Sequence, residues 1–131
     1  MYISMDYSRI LICGDRNWTD VGAIKKIIKE HANDTTTIIQ GECQGADLIA
    51  KSVAKKLKIK SIGFPAEWQK YGKAAGPIRN QKMLGEGLPT IVFAFHDNIV
   101  ASRGTKYMVM KSKKYGIPVW LYANDQFERY S

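Results

Sequence analysis

The chain reads as an α/β protein, a three-layer, doubly wound Rossmann-like domain built on a parallel sheet of about five strands. Three observations predict this. Short apolar runs recur along the chain and alternate with segments whose apolar residues repeat at helical spacing. Several of the runs are apolar throughout, as strands covered on both faces are. Polar, glycine-bearing turns follow the runs, and no repeat, linker or low-complexity stretch interrupts the alternation. The expected strand order is 3-2-1-4-5, with the first and fourth strands flanking the switch point where a ligand belongs.

The first strand is Arg9 to Gly14 (RILICG), closed by glycine. A loop through Asp15, Arg16, Asn17 and Trp18 leads to Thr19 or Asp20, either of which can cap the next helix. That helix keeps Val21, Ile24, Ile27 and Ile28 on one face and Lys25, Lys26 and Lys29 on the other, and it ends at Asn33 and Asp34. Thr36 to Gln40 is the second strand; it runs into Gly41–Asp47 and a helix with Ile49, Val53 and Leu57 at four-residue spacing. Ile59 to Phe64 is the third strand. Glu67 to Leu84 (EWQKYGKAAGPIRNQKML) shows no apolar repeat until Ile78. Pro77 suits the first turn of a helix reading PIRNQKML, which would place Arg79 and Asn80 in that turn beside free N–H groups. Thr90 to Phe95 (TIVFAF) is the fourth strand, His96 to Ser102 a loop, and Arg103-Gly104-Thr105 the entry to a basic helix that Gly116 stops. Ile117 to Tyr122 is the fifth strand, and Asn124 to Ser131 reads as a polar tail.

The 131 residues suit a single domain, 1–131, with a core that needs no staples. A formal net charge of +8 favours an anionic partner, although lysines on exposed helix faces serve equally as a solubilising surface. The two cysteines, Cys13 and Cys43, have neither metal-ligand spacing nor a disulfide framework, so a reducing, cytoplasmic setting with no metal and no cofactor is expected. No run reaches the roughly 20 apolar residues of a membrane span, and the N-terminus has no apolar signal core.

Four loops leave the carboxyl ends of the strands: Gly14–Asp20, Gly41–Asp47, Pro65–Pro77 and His96–Thr105. The unusual residues of the chain lie in them. Gly41-x-x-x-Gly45-Ala46-Asp47 and Arg103-Gly104-Thr105 each join a strand to a helix, where glycine admits close approach and a helix N-terminus offers N–H groups to phosphate. The alternative reading is a tight turn, with Asp47 favourably placed near the helix dipole and Thr105 capping; the strand–glycine–helix context favours the ligand reading for Gly41–Asp47. Arg16 and Arg79 suit bidentate contact with an anion, or surface ion pairs. Trp18 and Trp68 can stack on a base or pack at a sheet edge. Gly14, Gly76 and Asn80 complete the expected ligand-binding set. Glu42, Glu67 and Asp97 are the candidate general bases, each also readable as a cap or hydroxyl acceptor. His96 borders the site without a Ser or Cys partner, and His31 is expected to face solvent.

These residues resemble the YspA, or cpYpsA-related, family of the SLOG superfamily, Rossmann-like proteins related to DNA processing protein A and to cytokinin-activating phosphoribohydrolases. The resemblance is carried by Gly14-Asp15-Arg16-Asn17-Trp18-Thr19-Asp20, Gly41 with Gly45-Ala46-Asp47, Phe64-Pro65-Ala66-Glu67-Trp68, Tyr71 to Asn80 with Met83, and Gly104-Thr105. It implies a pocket for a nucleotide or nucleotide-derived ligand. In the phosphoribohydrolases a PGGxGTxxE loop supplies a catalytic glutamate, with an arginine from the preceding helix. Arg79 falls in that arginine's region, but here Ala101 and Ser102 replace the loop glycines and Met108 stands at the glutamate position. Three functions are therefore expected in this order: a module that senses or sequesters a nucleotide-derived molecule, a hydrolase of nucleotide N-glycosidic or phosphoester bonds, and a single-stranded nucleic-acid binder. A homo-oligomer through Tyr107, Met108 and Met110 is a further expectation, beside a core role for the same residues.

Overall fold

A computed structural model describes residues 5–130. Its sheet is built from β1 (Arg9–Gly14), β2 (Thr37–Gln40), β3 (Lys60–Gly63), β4 (Ile91–Phe95), β5 (Val119–Ala123) and β6 (Gln126–Arg129), in the order β3-β2-β1-β4-β5-β6. The first five strands are parallel, and β6 pairs antiparallel with β5. Order 3-2-1-4-5 is thus present, with a sixth strand where a polar tail was expected. The turn into β6 is made by Asn124 and Asp125, both at positive φ (52° and 65°), which suits a two-residue hairpin that follows the twist of its strands. Ser131 and the first four residues lie outside the described region.

Among the described residues five α-helices flank the sheet: α1 (Val21–His31), α2 (Ala46–Lys56), α3 (Trp68–Tyr71), α4 (Ala75–Gly85) and α5 (Gly104–Lys114). Alternation along β1 sorts its side chains between the two faces. Ile10 and Ile12 pack with Ile24, Ile27 and Ile28 of α1 and with Ala50 and Val53 of α2. Leu11 and Cys13 pack with Met83 and Leu84 of α4 and with Met108 and Val109 of α5. The result is the three-layer arrangement of a doubly wound sheet. Met108 and Tyr107 are accounted for inside the monomer, since Met108 is core and Tyr107 lines a cavity; only Met110 of that set is exposed. No helix among the described residues is long and apolar enough to cross a membrane.

Two local expectations change. Asp20, rather than Thr19, caps α1, its carboxylate accepting the Ala23 N–H at 3.1 Å. Helix α4 begins at Ala75, so Pro77 is its third residue, where the N–H it lacks has no partner in the ladder anyway. Arg79 and Asn80 consequently sit in the second turn, and they reach the site with side chains instead of free N–H groups. His31 is half-buried rather than fully solvent-facing. Its ring stacks on Tyr7 (4.4 Å between centroids) and on Phe93 (5.5 Å).

Candidate functional site

Parallel pairing puts every strand-to-helix turn at one end of the sheet, and β1 and β4, adjacent in space, send their chains to opposite faces. Above that divergence lies a cavity of about 930 Å³. Its walls come from the β1 turn (Gly14, Asp15, Arg16, Asn17), the β2 turn and α2 (Cys43, Asp47), α3, the 3-10 turn Gly72–Ala74 and α4 (Trp68, Lys73, Gly76, Pro77, Arg79, Asn80, Met83) and the β4 turn with α5 (His96, Ser102 to Thr105, Tyr107, Met108). Gly14, Arg16, Asp47, Trp68, Gly76, Arg79, Asn80, Gly104 and Thr105 therefore share one chamber. Trp18, Gly41, Gly45 and Ala46 do not line it.

Each of those four has another place. Trp18 is a core residue, edge-on to Phe95 and Tyr122 at 5.7 Å from each, and its indole N–H donates to the Asp20 carbonyl at 3.0 Å. Ala46 is fully buried under the sheet. Gly45 has φ +89°, and a Cβ there would overlap the Asp15 carbonyl oxygen; its absence lets the β1 and β2 turns interlock through Ala46 N–H to Asp15 O at 3.2 Å. Gly41 has no room for a side chain because other side chains occupy the space. A Cβ would stand 2.9 Å from Arg79 Nη1 and 2.9 Å from Asp47 Oδ2. Gly104 alone among the expected loop glycines meets open space.

The floor of the chamber is built on Asp47 and Arg79. Asp47 Oδ2 accepts the N–H groups of Gly41 (3.2 Å) and Cys43 (3.3 Å). Arg79 donates through Nη1 to the Gly41 carbonyl (2.6 Å) and through Nε to Asn80 Oδ1 (2.8 Å). Burial pushes the Asp47 carboxyl up to about 6 from its ordinary 3.8, and Glu42 adds to the rise. The Arg79 guanidinium and the two N–H groups pull it down without cancelling the burial. Burial likewise pushes the Cys13 thiol up, so Cys13 is a small apolar wall group rather than a thiolate.

Arg16, Lys73 and Arg103 stand exposed at the rim with no ion-pair partner among the described residues. With Arg79 they give the walls four cationic side chains against the two carboxylates of Asp15 and Asp47. The start of α5 adds its dipole. Arg103 rather than Thr105 is the N-cap residue of this helix, and the Ser102 hydroxyl before it accepts the Thr105 N–H at 3.1 Å. The Thr105 side chain is left on the cavity wall.

None of the expected general bases is on that wall. Glu42 extends over Gly63 and is held by Lys51 Nζ at 2.9 Å. Glu67 lies 3.9 Å from Lys82 at the surface. Asp97 accepts the Asn124 N–H at 2.8 Å and fixes the hairpin before β6. The wall residues Asp15, Lys73, Ser102 and Arg103 were not in the expected set. Lys73, beside the small run Ala74-Ala75-Gly76, had a signal in the sequence; Ser102 had one in its position three residues before Thr105. A second groove, of about 610 Å³, runs between α1 and α2 on the far side of the β1 turn.

Comparison with known proteins agrees with this architecture. A family model for the YspA, cpYpsA-related SLOG family matches residues 8–71, from β1 to the end of α3. The Gene 61 protein of Mycobacterium phage D29 is 29% identical over an alignment of 119 residues, with 85% of this chain and 93% of the phage protein covered. The X-ray structure of DNA processing protein A from Streptococcus pneumoniae aligns with a TM-score of 0.69 at 17% identity, a likeness of fold. It covers 88% of this chain, which spans half the length of that protein.

Proposed function

From the premise that residues 8–71 match the model of the YspA, cpYpsA-related SLOG family, we propose that the chain binds a nucleotide or nucleotide-derived phosphate ester in the switch-point cavity, as a sensing or sequestering module. The observation that carries this reading is the asymmetry of the walls. Exposed Arg16, Lys73 and Arg103 and the open N-terminus of α5 around Gly104 surround one concavity, and Trp68 stands 59% exposed at its edge. Cations and a helix N-terminus bind phosphate, and a free indole face stacks on a base.

Binding without turnover fits the placement of the carboxylates. Glu42, Glu67 and Asp97 point elsewhere, and Met108 is buried where the phosphoribohydrolases carry a glutamate. Hydrolysis would fall to Asp47 or Asp15, the carboxylates that the cavity does hold.

A calorimetric and thermal-shift screen of nucleoside mono- and diphosphates, ADP-ribose and NAD tests the reading. Stabilisation by at least one of them is expected, and Lys73→Glu with Arg103→Glu should abolish it while leaving the melting temperature of the free protein within a few degrees. Absence of stabilisation across the set would overturn the proposal.

The same rim supports a second reading, single-stranded nucleic-acid binding, because exposed Trp68 lines the same cavity as Lys73 and Arg16, the components of a stacking platform in a basic groove. Affinity for an oligonucleotide should then fall steeply with salt and be lost in Trp68→Ala. No binding at low salt would remove this reading.

A further inference from the structure

Three polar side chains on the cavity wall, each about nine-tenths buried, have an atom that no protein group among the described residues satisfies. Asp47, Asn80 and Thr105 are each 7% exposed. Asp47 spends Oδ2 on two N–H groups, and Oδ1 has no partner. Asn80 gives its carbonyl oxygen to Arg79 and keeps its NH₂ free. The Thr105 hydroxyl makes no hydrogen bond among the described residues, its own N–H being taken by Ser102. These atoms are not sealed in: the enclosed, partnerless side-chain atoms of the described residues are Gln40 Nε2 and Ser61 Oγ, both elsewhere. Groups so deeply buried are normally hydrogen-bonded. Three open ones around a single chamber describe the pattern of a guest.

That pattern is an acceptor on α2, a donor on α4 and a hydroxyl beside the α5 N-terminus. The ionised Asp47 can only accept, so the guest must present a donor to it. A cationic donor is disfavoured by Arg79 at the floor and by the three cations at the rim. The donor is thus neutral, a hydroxyl or an exocyclic amine. Span decides between these. Asp47 follows β2 and Thr105 follows β4, with β1 between, so their strand tips lie two interstrand spacings apart, on the order of 10 Å. A phosphate at the α5 end puts the sugar attached to it over that gap, and leaves the base toward exposed Trp68.

We propose that Asp47 Oδ1 accepts a ribose hydroxyl of a phosphorylated ribose, so that the site distinguishes ribose-bearing from hydroxyl-deficient nucleotides. This rests on the nucleotide-site reading above. The discrimination sits on a rigid group, because Gly41 and Cys43 hold the other oxygen in place and the missing side chain at Gly41 leaves room for it.

The test is a calorimetric comparison of AMP with 2′,3′-dideoxy-AMP, which share phosphate and base. The unmodified protein should bind AMP about tenfold or more tightly, as a hydrogen bond to a charged group implies. Asp47→Asn keeps an oxygen toward Gly41 and Cys43 but turns an NH₂ into the chamber; the AMP preference should collapse to near unity while inorganic phosphate still competes. The unmodified protein gives an independent readout. The preference should shrink as pH falls below about 6 and Asp47 takes up a proton. Arg79, Glu42, Cys13 and the cavity's own His96 and Asp15 also face this region, but their effects on the shared phosphate cancel in the ratio. Equal binding of the two nucleotides, or a preference unchanged in Asp47→Asn and with pH, overturns the assignment and leaves the nucleotide site standing. Failure of both nucleotides and of phosphate to bind overturns the nucleotide site itself.

Discussion

Asp47→Asn should make the free protein more stable at neutral pH. A carboxyl held at about 6 when folded and at 3.8 when unfolded keeps its proton in the folded state across that interval, while the unfolded chain releases it. Stability from this group is therefore greatest at acid pH, declines as pH rises from about 4 to 6, and stays low above that. The difference between the two values corresponds to about 3 kcal/mol. Asparagine has the same shape, retains an acceptor for Gly41 and Cys43, and carries no charge into the buried floor. Urea unfolding of both proteins at pH 4, 5, 6 and 7 reads the effect, since groups common to both cancel in the difference. The variant should match the native protein near pH 4 and exceed it by up to about 3 kcal/mol at pH 7. A difference that is flat with pH, or a native protein more stable at pH 7, would refute the argument that Asp47 is a charge kept at a stability cost for the sake of the site.

Further outcomes separate framework from wall. Gly45→Ala forces a strained φ and an overlap with the Asp15 backbone, so a loss of about 1–3 kcal/mol or more in urea unfolding is expected. Gly41→Ala meets only the ends of Arg79 and Asp47, so a smaller stability loss with a clear loss of nucleotide affinity is expected by calorimetry. Trp18→Ala should cost about 3–5 kcal/mol, as core tryptophans do. Trp68→Ala, half exposed, should change unfolding by less than about 1 kcal/mol and act on ligand affinity. Glu42→Gln should break the Lys51 pair and leave nucleotide affinity as it is.

The sheet was legible because its central strands carry consecutive apolar residues rather than an alternating pattern. Ile10, Leu11 and Ile12 or Ile91 to Phe95 have few alternatives in a chain of this size, and the alternation of strand and helix then implies parallel pairing, for which the order 3-2-1-4-5 is a common solution. Strand β6 was hidden for the opposite reason: Gln126, Glu128 and Arg129 surround Phe127 at a sheet edge, where only one side chain faces the core. The Asn124-Asp125 pair was its available signal. Helix α4 was misread by two residues because Ala75 and Gly76 carry no period, and Pro77 fits anywhere in a first turn.

At the site, the turns were identifiable but their division of labour was not. Gly14, Gly41 and Gly45 look like phosphate loops in sequence, yet the space beside each is filled by other parts of the protein. Whether a missing Cβ admits backbone, side chain or ligand depends on turns from different crossover units meeting in three dimensions. For the same reason Glu42 and Asp97, sequence neighbours of the cavity, were not seen to be engaged by Lys51 and Asn124. Asp47 was placed at a helix start, but its rise to about 6 comes from burial in the folded chain, against the lowering pull of Arg79 from α4.

Amide chemical-shift mapping on titration with AMP tests the central claim most directly. Perturbations should cluster at Gly14–Asn17, Lys73–Asn80 and Ser102–Thr105, residues that meet only around the switch-point cavity. Shifts confined to Lys25, Leu48, Ser52 and Lys56 along the α1–α2 groove, or no shifts at millimolar nucleotide, would contradict it.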